Sequence, residues 1–173
     1  MTEAARRVAF DLGRVGVVVP RHIPVGALDA SAIAADHRVV SGVRGQGRTI
    51  TVTARRGAVE HRTISAIEVD PSLRGVDLGL VLAHELMHAR LHLAGTPSLP
   101  AWLEEGLCEM VAVVWMSAVL PQAVLDRMLP ALDGRRPALY RSGLARVQAA
   151  VRAHGVLPVI VAAERSGRLL PVP

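Results

Sequence analysis

The chain has 173 residues, of which 51% are hydrophobic, so it is long and apolar enough for one compact domain, and wholesale disorder is excluded. Only 2% are aromatic, so smaller aliphatic side chains must fill the core, which favours closely packed helices. The net charge is +5, but acidic residues are interspersed among the arginines. A nucleic-acid binder more often shows a basic stripe with aromatic platforms, so we expect no nucleic-acid partner.

The segment 1–70 is predicted to be rich in strands and to form a small antiparallel sheet. Residues 15–19 are a short apolar run, residues 49–53 alternate β-branched side chains, and residues 63–69 have the pattern of a partner strand. A short helix is predicted over residues 27–35. Turns are predicted at the glycine-rich residues 41–47 and at Gly57.

From residue 76 onwards the apolar residues recur every three or four positions, so residues 76–166 are predicted to be helical. A second helix is expected to begin at Pro100, run to about residue 119, and end or bend at Pro121. The remaining predicted segments are helices over residues 138–153 and 157–165 and a short tail over residues 167–173. Strands followed by helices indicate an α+β fold, which we expect to form a single domain over residues 1–173.

Cysteine content and hydropathy limit the class and location of the protein. A lone cysteine, Cys108, excludes an internal disulfide and a cysteine-based zinc site, and we expect it to be a small buried hydrophobe. The charged side chains between Glu3 and Arg14 leave no room for the apolar region of a signal peptide. The longest uncharged apolar stretch, residues 110–120, is too short to span a bilayer. These features predict a cytoplasmic protein without a membrane partner.

The chemistry-bearing motif is HELMH at residues 84–88, an HExxH pattern inside the first helix predicted after residue 76. Four helical residues rise about 6 Å and turn about 40° past one full turn, so His84 and His88 point to one side and can share one Zn²⁺. Glu85 can lean over the open coordination position and take a proton from zinc-bound water. The motif therefore predicts a zinc-dependent hydrolase with one Zn²⁺ per chain.

A third metal ligand has to come from elsewhere in the chain. Position 94 is Ala, which excludes the pattern with a third His ten residues after the first. His92 lies about 12 Å along the helix axis from His84, too far for one ion to bridge. The Glu-bearing helix that begins at Pro100 is the better source, because a carboxylate would complete a catalytic His₂Glu site.

Three glutamates of that second helix are candidates for the third ligand. We choose Glu105, because Gly106 beside it removes a side chain where the two helices must come close. Glu104 and Glu109 remain alternatives. If they are not ligands, they can orient His84 or His88 through the other ring nitrogen, or simply be solvated.

A peptidase also needs a group that stabilises the oxyanion of the transition state. Tyr140, the only tyrosine, is our candidate for this role. Arg141 and His154 are alternatives, and a packing role for Tyr140 is equally compatible with its position.

The sequence LAHELMHARLHLAGTPSLPAWLEEGLCEMVAVVWM, residues 82–116, resembles the metallopeptidase domain of the DA-one family. These are ubiquitin-activated zinc peptidases known from plants, with LIM and ubiquitin-interacting modules ahead of the peptidase domain. The resemblance lies in the signature LAHE-x-MHA-x-L and in EEG-x-C, and it continues at residues 140–143 and 167–172. It implies a gluzincin-like fold, one zinc ion, endopeptidase activity on protein substrates, His84 and His88 as ligands, and Glu85 as general base.

Two features of the family are missing from this sequence. One cysteine cannot build the zinc fingers of a LIM domain, and no separate ubiquitin-binding helix precedes the peptidase region. We therefore expect a stand-alone bacterial form without ubiquitin-like activation, whose partner is a protein or peptide substrate. The alternative is a non-catalytic, metal-bearing interaction module that docks an acidic protein partner through its basic surface.

Overall fold

A computed structural model describes residues 1–28, 47–56 and 59–172, and these residues form a mostly helical α+β arrangement with one small sheet. The helices are α1 (Thr2–Arg14), α2 (Gly75–Leu93), α3 (Ala101–Val119), α4 (Gln122–Arg135), α5 (Ala138–His154) and α6 (Val156–Ser166), and the strands are β1 (Val25–Ala27), β2 (Gly47–Arg56) and β3 (Val59–Val69). The predicted α+β class is confirmed at this level.

The sheet has the order β1–β3–β2, with β3 in the centre. Strands β2 and β3 are antiparallel, with Gly47 opposite Val69, so the two predicted strands over residues 49–53 and 63–69 are confirmed as partners. Strand β1 runs parallel to β3, so the prediction of a purely antiparallel sheet is wrong for this strand. A parallel pair needs a long connection, and the segment between β1 and β3, which contains β2, provides it.

The N-terminus is helical, so the prediction that the segment 1–70 is rich in strands is wrong for the part that forms α1. Helix α1 buries Ala5, Val8, Ala9 and Leu12, which recur at helical spacing and pack into the core. This spacing is a helical signal that the sequence already contains between Ala5 and Leu12.

The strand predicted over residues 15–19 is also wrong, because these residues have no strand pairing in the described structure. The N–H of Val17 donates to the carbonyl oxygen of Leu12, and Gly16 adopts a φ of 84°, so this segment closes the end of α1. Val17 and Val19 are buried while Val18 is exposed. The apolar run that suggested a strand therefore alternates in burial, but no described strand pairs with it.

Some predictions fall wholly or partly outside the described residues. The helix predicted over residues 27–35 begins at Ala27, which belongs to β1, and continues from residue 29 outside the described part of the chain. The turn predicted over residues 41–47 lies outside it except for Gly47, which begins β2, and Gly57 lies outside it as well.

The helices predicted after residue 76 are confirmed. The structure also contains α4, for which no separate helix was predicted within this helical region. Pro121 ends α3, as predicted, and directly precedes α4. Helix α4 contains Pro130 and Gly134, two residues that disfavour a helix interior, which hid it from sequence patterns. No single helix in the described ranges is long and apolar enough to cross a bilayer, whereas α5 and α6 pass that test only as a pair, bent by 116°.

Helix α2 is central to the packing and presents its residues to several neighbours. It packs against α1, α3 and the strands β2 and β3, while α3 packs against both α2 and α5. Leu82, Leu86 and Met87 of α2 are fully buried, as are Leu103, Leu107 and Val111 of α3. These contacts fix the orientation of α2 relative to α3 and so determine which polar side chains meet between them.

Glycines allow α3 to approach both of its neighbours closely. A Cβ at Gly106 would lie 2.6 Å from the main-chain carbon of Gly143 in α5, and a Cβ at Gly143 would overlap the carbonyl oxygen of Trp102. Gly106 therefore makes room for α5, and our prediction that it makes room for the HExxH helix is wrong. Helix α3 comes close to α2 instead at Gly79 of α2, where the ring of Trp115 occupies the space that a side chain would need.

We expect Gly143→Ala to destabilise the protein by about 1–3 kcal/mol, because the added methyl group meets main-chain atoms that cannot rotate away. Urea unfolding measures this loss. Gly134→Ala is the matched control, since no atom lies within 4 Å of a Cβ at that helical position, and we expect no loss there or a gain of up to about 1 kcal/mol. Equal losses in both variants would contradict the close approach of α3 and α5.

Candidate metal centre

Helix α2 places the two histidines of the HExxH motif side by side, as their spacing predicts. The Nε2 atoms of His84 and His88 are 3.2 Å apart, and the ring centroids are separated by 4.9 Å. Both side chains are mostly buried, with 14% and 18% of their surface exposed. The two imidazoles thus converge on one point at the contact between α2 and α3.

Glu105 of α3 completes this cluster. Its Oε2 atom lies 3.2 Å from Nε2 of His84 and 3.8 Å from Nε2 of His88. Neighbouring ligands of a tetrahedral zinc ion with bonds of 2.0–2.1 Å are about 3.4 Å apart, so the three atoms have a suitable spacing. The same Oε2 atom is buried and has no hydrogen-bond partner in the described structure. A buried carboxylate oxygen without a hydrogen bond is costly, and a cation bound to it would remove that cost.

Two further glutamates of α3 face the other nitrogens of the histidine rings. Oε1 of Glu104 is 3.0 Å from Nδ1 of His88, and Oε1 of Glu109 is 3.4 Å from Nδ1 of His84. Each imidazole thus has one nitrogen toward Glu105 and the other toward an outer carboxylate. Such carboxylates orient histidine ligands and increase their basicity, so this geometry favours the orienting role over direct ligation for both residues.

The structure adds Arg136, which sequence reasoning missed. It lies just after α4, its side chain is only 5% exposed, and its Nε donates to Oε2 of Glu109 at 2.6 Å. The guanidinium therefore neutralises the carboxylate that holds His84. No spacing rule connects residue 136 to residue 109, so an alignment of homologues would have been needed to suspect it.

Cys108 is buried, as predicted, but it also lies beside the histidines. The possible ligand atoms of His84, His88 and Cys108 all lie within 4.8 Å of one another, so these residues form a group that could hold a metal ion. The sequence alone did not place Cys108 beside the histidines, and its expected absence from the metal site stays a prediction. Burial raises the pKa of the Cys108 thiol, however, and this disfavours the thiolate form that binds metals. The carboxylate of Glu105, whose pKa is lowered, is better suited.

Of the three candidates for oxyanion stabilisation, Tyr140 contacts the histidine pair. Its ring stacks on that of His84 with centroids 6.2 Å apart and planes inclined by 11°. Burial and the nearby charge of Glu105 raise the pKa of Tyr140, so its hydroxyl stays protonated and able to donate. Arg141 is exposed. His154 lies about 21 Å further along α5 and binds the carbonyl oxygen of Pro171 instead.

Glu85 is buried on the side of α2 that faces the sheet, with 6% of its surface exposed. Its Oε2 accepts a hydrogen bond of 2.9 Å from the hydroxyl of Thr49 in β2. Sequence reasoning did not include Thr49 in the site. His92 does not join the cluster, and its carbonyl oxygen accepts a hydrogen bond from Arg62.

The electrostatics of the cluster couple the histidines to Glu105. Burial acts to lower the pKa of His84, but the carboxylates of Glu105 and Glu109 beside its two ring nitrogens outweigh it, and the pKa is raised well above its usual value. Burial likewise acts to lower the pKa of His88, but its contacts with Cys108, Glu104 and Glu105 outweigh it, and this pKa is also raised well above its usual value. For Glu105, burial acts to raise the pKa, but the two histidines hold it well below its usual range.

We expect the metal-free protein to lose about 1–2 kcal/mol of stability as the pH rises from 6.5 to 8.5. The raised pKa of the histidine pair means that the folded state binds more protons than the unfolded state, so the stabilisation is complete below about pH 6.5 and is lost as the pH rises through the folded pKa. Thermal unfolding in the presence of a chelator measures it. A His84→Gln variant, which lacks one titrating group, is the control and should show a smaller loss. Increasing stability over this range would contradict the prediction.

Two imidazoles, a carboxylate and a thiol thus converge between two helices of a mostly helical α+β chain, and this arrangement could hold a metal ion. The sequence model of one family, described as "DA1-like: Protein DA1", matches residues 30–134, well over half of the chain. The chain therefore belongs to the DA1-like family, and the resemblance stated from the sequence is confirmed.

Individual relatives match over shorter stretches. The chain is 42% identical over 59 residues to the LIM domain-containing protein HDR3 of Oryza sativa subsp. japonica, and this covers 34% of the chain and 12% of HDR3. It is 40% identical over 55 residues to Protein DA1-related 1 of Arabidopsis thaliana, which covers 32% of the chain and 10% of that protein. Protein DA1-related 2 of the same plant is 33% identical over 94 residues, or 54% of the chain and 16% of its own length. The matches thus span less than a fifth of each relative, and no solved structure matches the chain.

Proposed function

We propose that this protein is a zinc-dependent endopeptidase with a gluzincin-like fold, in which His84, His88 and Glu105 hold one Zn²⁺. The observation that carries the proposal is the buried Oε2 of Glu105, which lacks a hydrogen-bond partner and lies at ligand spacing from both Nε2 atoms. A site with three protein ligands leaves a fourth position for water or substrate, which is the arrangement of catalytic rather than structural zinc. Membership of the DA1-like family supports the same reading.

Several residues of the chain would have separate roles in peptide hydrolysis. A zinc ion, when bound, lowers the pKa of a coordinated water and polarises the substrate carbonyl. Glu85 accepts a proton from the attacking water and returns it to the nitrogen of the leaving group. The hydroxyl of Tyr140, kept protonated by burial, donates to the oxyanion. Glu104 and Glu109 hold the imidazoles in the orientation that presents Nε2 to the ion.

The test measures metal content and cleavage in the same preparations. Elemental mass spectrometry of the purified protein is expected to find about one zinc ion per chain. The His84→Ala variant is expected to contain much less zinc. It is also expected to cut members of a proteome-derived peptide library. A wild-type protein that cannot bind zinc would contradict the proposal. Stoichiometric zinc without cleavage would favour a non-catalytic, metal-bearing module instead.

A further inference from the structure

We infer that Thr49 of β2 is a positioning residue for Glu85, and that Gly47 provides the space in which it does so. The inference rests on the proposed function, because it assigns to Thr49 the task of holding the general base. It concerns a contact between the sheet and the HExxH helix that neither the motif nor the family resemblance contains.

Thr49 contacts both ends of Glu85 with a single hydroxyl group. Its Oγ1 lies 2.9 Å from Oε2 of the Glu85 carboxylate and 3.0 Å from the carbonyl oxygen of the same residue. A hydroxyl carries one hydrogen, which it can donate to either oxygen or share between them. Because one atom bridges the main chain and the carboxylate, the side-chain torsions between them are restrained. The carboxylate therefore keeps a fixed position relative to the axis of α2.

Gly47 removes the side chain that would otherwise occupy the place of Glu85. A Cβ at this position would lie 2.9 Å from Cγ and 3.1 Å from Oε1 of Glu85, and 2.6 Å from Cγ1 of Val81. Gly47 and Thr49 are two residues apart, so they share one face of β2. On this face of β2, Gly47 leaves space beside Oε1 of Glu85, and Thr49 donates a hydrogen bond to Oε2.

The strand itself is anchored where these residues lie. Thr49 pairs with Ile67 of the central strand β3, and Ile67 is fully buried in the core. The register is regular from Gly47 to Ile50 and shifts only after Ile50. A donor on a paired strand that is joined to the core can hold a catalytic carboxylate more tightly than a donor on a loop.

The test uses Thr49→Val, which keeps the shape and β-branching of threonine and replaces the hydroxyl by a methyl group. We expect kcat on the peptide cut fastest in the library to fall about tenfold, because a hydrogen bond to a carboxylate is lost. KM and zinc content are expected to stay within twofold of the wild type. Thr49→Ser keeps the hydroxyl and is expected to restore most of kcat. Thr53→Val, at an exposed position of the same strand, is the matched control and should behave as the wild type.

A second measurement does not depend on activity. Urea unfolding of the zinc-free protein compares Thr49→Val, Glu85→Met and the double variant. If the two side chains are bonded, Thr49→Val lowers the unfolding midpoint less when Glu85 is already replaced. Additive midpoints, or a Thr49→Val enzyme with wild-type kcat, would overturn the inference and leave the proposed function intact. A wild-type protein that neither holds zinc nor cuts peptides would reject the proposed function, and the role assigned to Thr49 with it.

Discussion

Glu85→Gln is expected to lower kcat/KM by about 10²- to 10⁴-fold while the zinc content stays near one ion per chain. The amide has the size of the carboxylate and can still accept the hydrogen bond from Thr49, so the fold around it is preserved. It cannot accept the proton that the attacking water must lose. Because Glu85 is not among the groups that converge on Oε2 of Glu105, its replacement leaves the ligands in place.

The measurement pairs elemental analysis with initial rates on the peptide that the wild type cuts fastest. Glu3→Gln is a suitable control, because the Glu3 side chain is 87% exposed on α1 and the same chemical change there should alter neither quantity. A zinc-loaded Glu85→Gln protein with wild-type rates would remove Glu85 from the mechanism. Loss of zinc from the variant would instead make Glu85 part of the metal site.

Glu105→Ala is expected to weaken zinc binding by at least about 100-fold, whereas Cys108→Ala is expected to change it by only a few-fold. Replacing groups that merely orient a ligand typically costs 10- to 100-fold, so the loss of a direct ligand costs more. The depressed pKa of Glu105 keeps it ionised and ready to bind, whereas burial keeps the Cys108 thiol protonated. Competition with a chromophoric chelator measures both affinities.

The two substitutions lie one helical turn apart on α3, so each is the control for the other. Both leave a small alanine side chain in a buried stretch of helix, and neither adds atoms that the core must accommodate. A large loss in Cys108→Ala and a small one in Glu105→Ala would establish a site made of two histidines and a cysteine.

The sequence was most informative about the two histidines, because their relative position is set within one helix. The i, i+4 spacing of His84 and His88 fixes their relation, and the structure brings them together as expected. The choice of Glu105 needed one further assumption, that α3 packs against α2 with its acidic face toward the histidines. In the structure Leu82 and Leu107 both lie in the core between these helices, and Glu105 faces the histidines.

What could not be predicted depends on contacts between distant segments. Thr49 and Arg136 reach the site from β2 and from the end of α4, and each is an ordinary residue in its own stretch of sequence. Gly106 illustrates the same limit, because the close approach was correctly expected but was assigned to α2 and not to α5. The helical spacing in α1 was present but lay beside a valine run typical of a strand.

The buried guanidinium of Arg136 has a consequence for the charge balance of the centre. Glu104, Glu105 and Glu109 bring three negative charges to one face of α3, and Arg136 offsets one of them. A divalent cation offsets the other two, so the loaded centre would be neutral apart from Glu85. A monovalent ion would leave an excess charge in a largely buried space, where such charge is costly. The arrangement of α3 and Arg136 would thus favour divalent ions and concentrate the remaining negative charge on the residue that has to accept a proton.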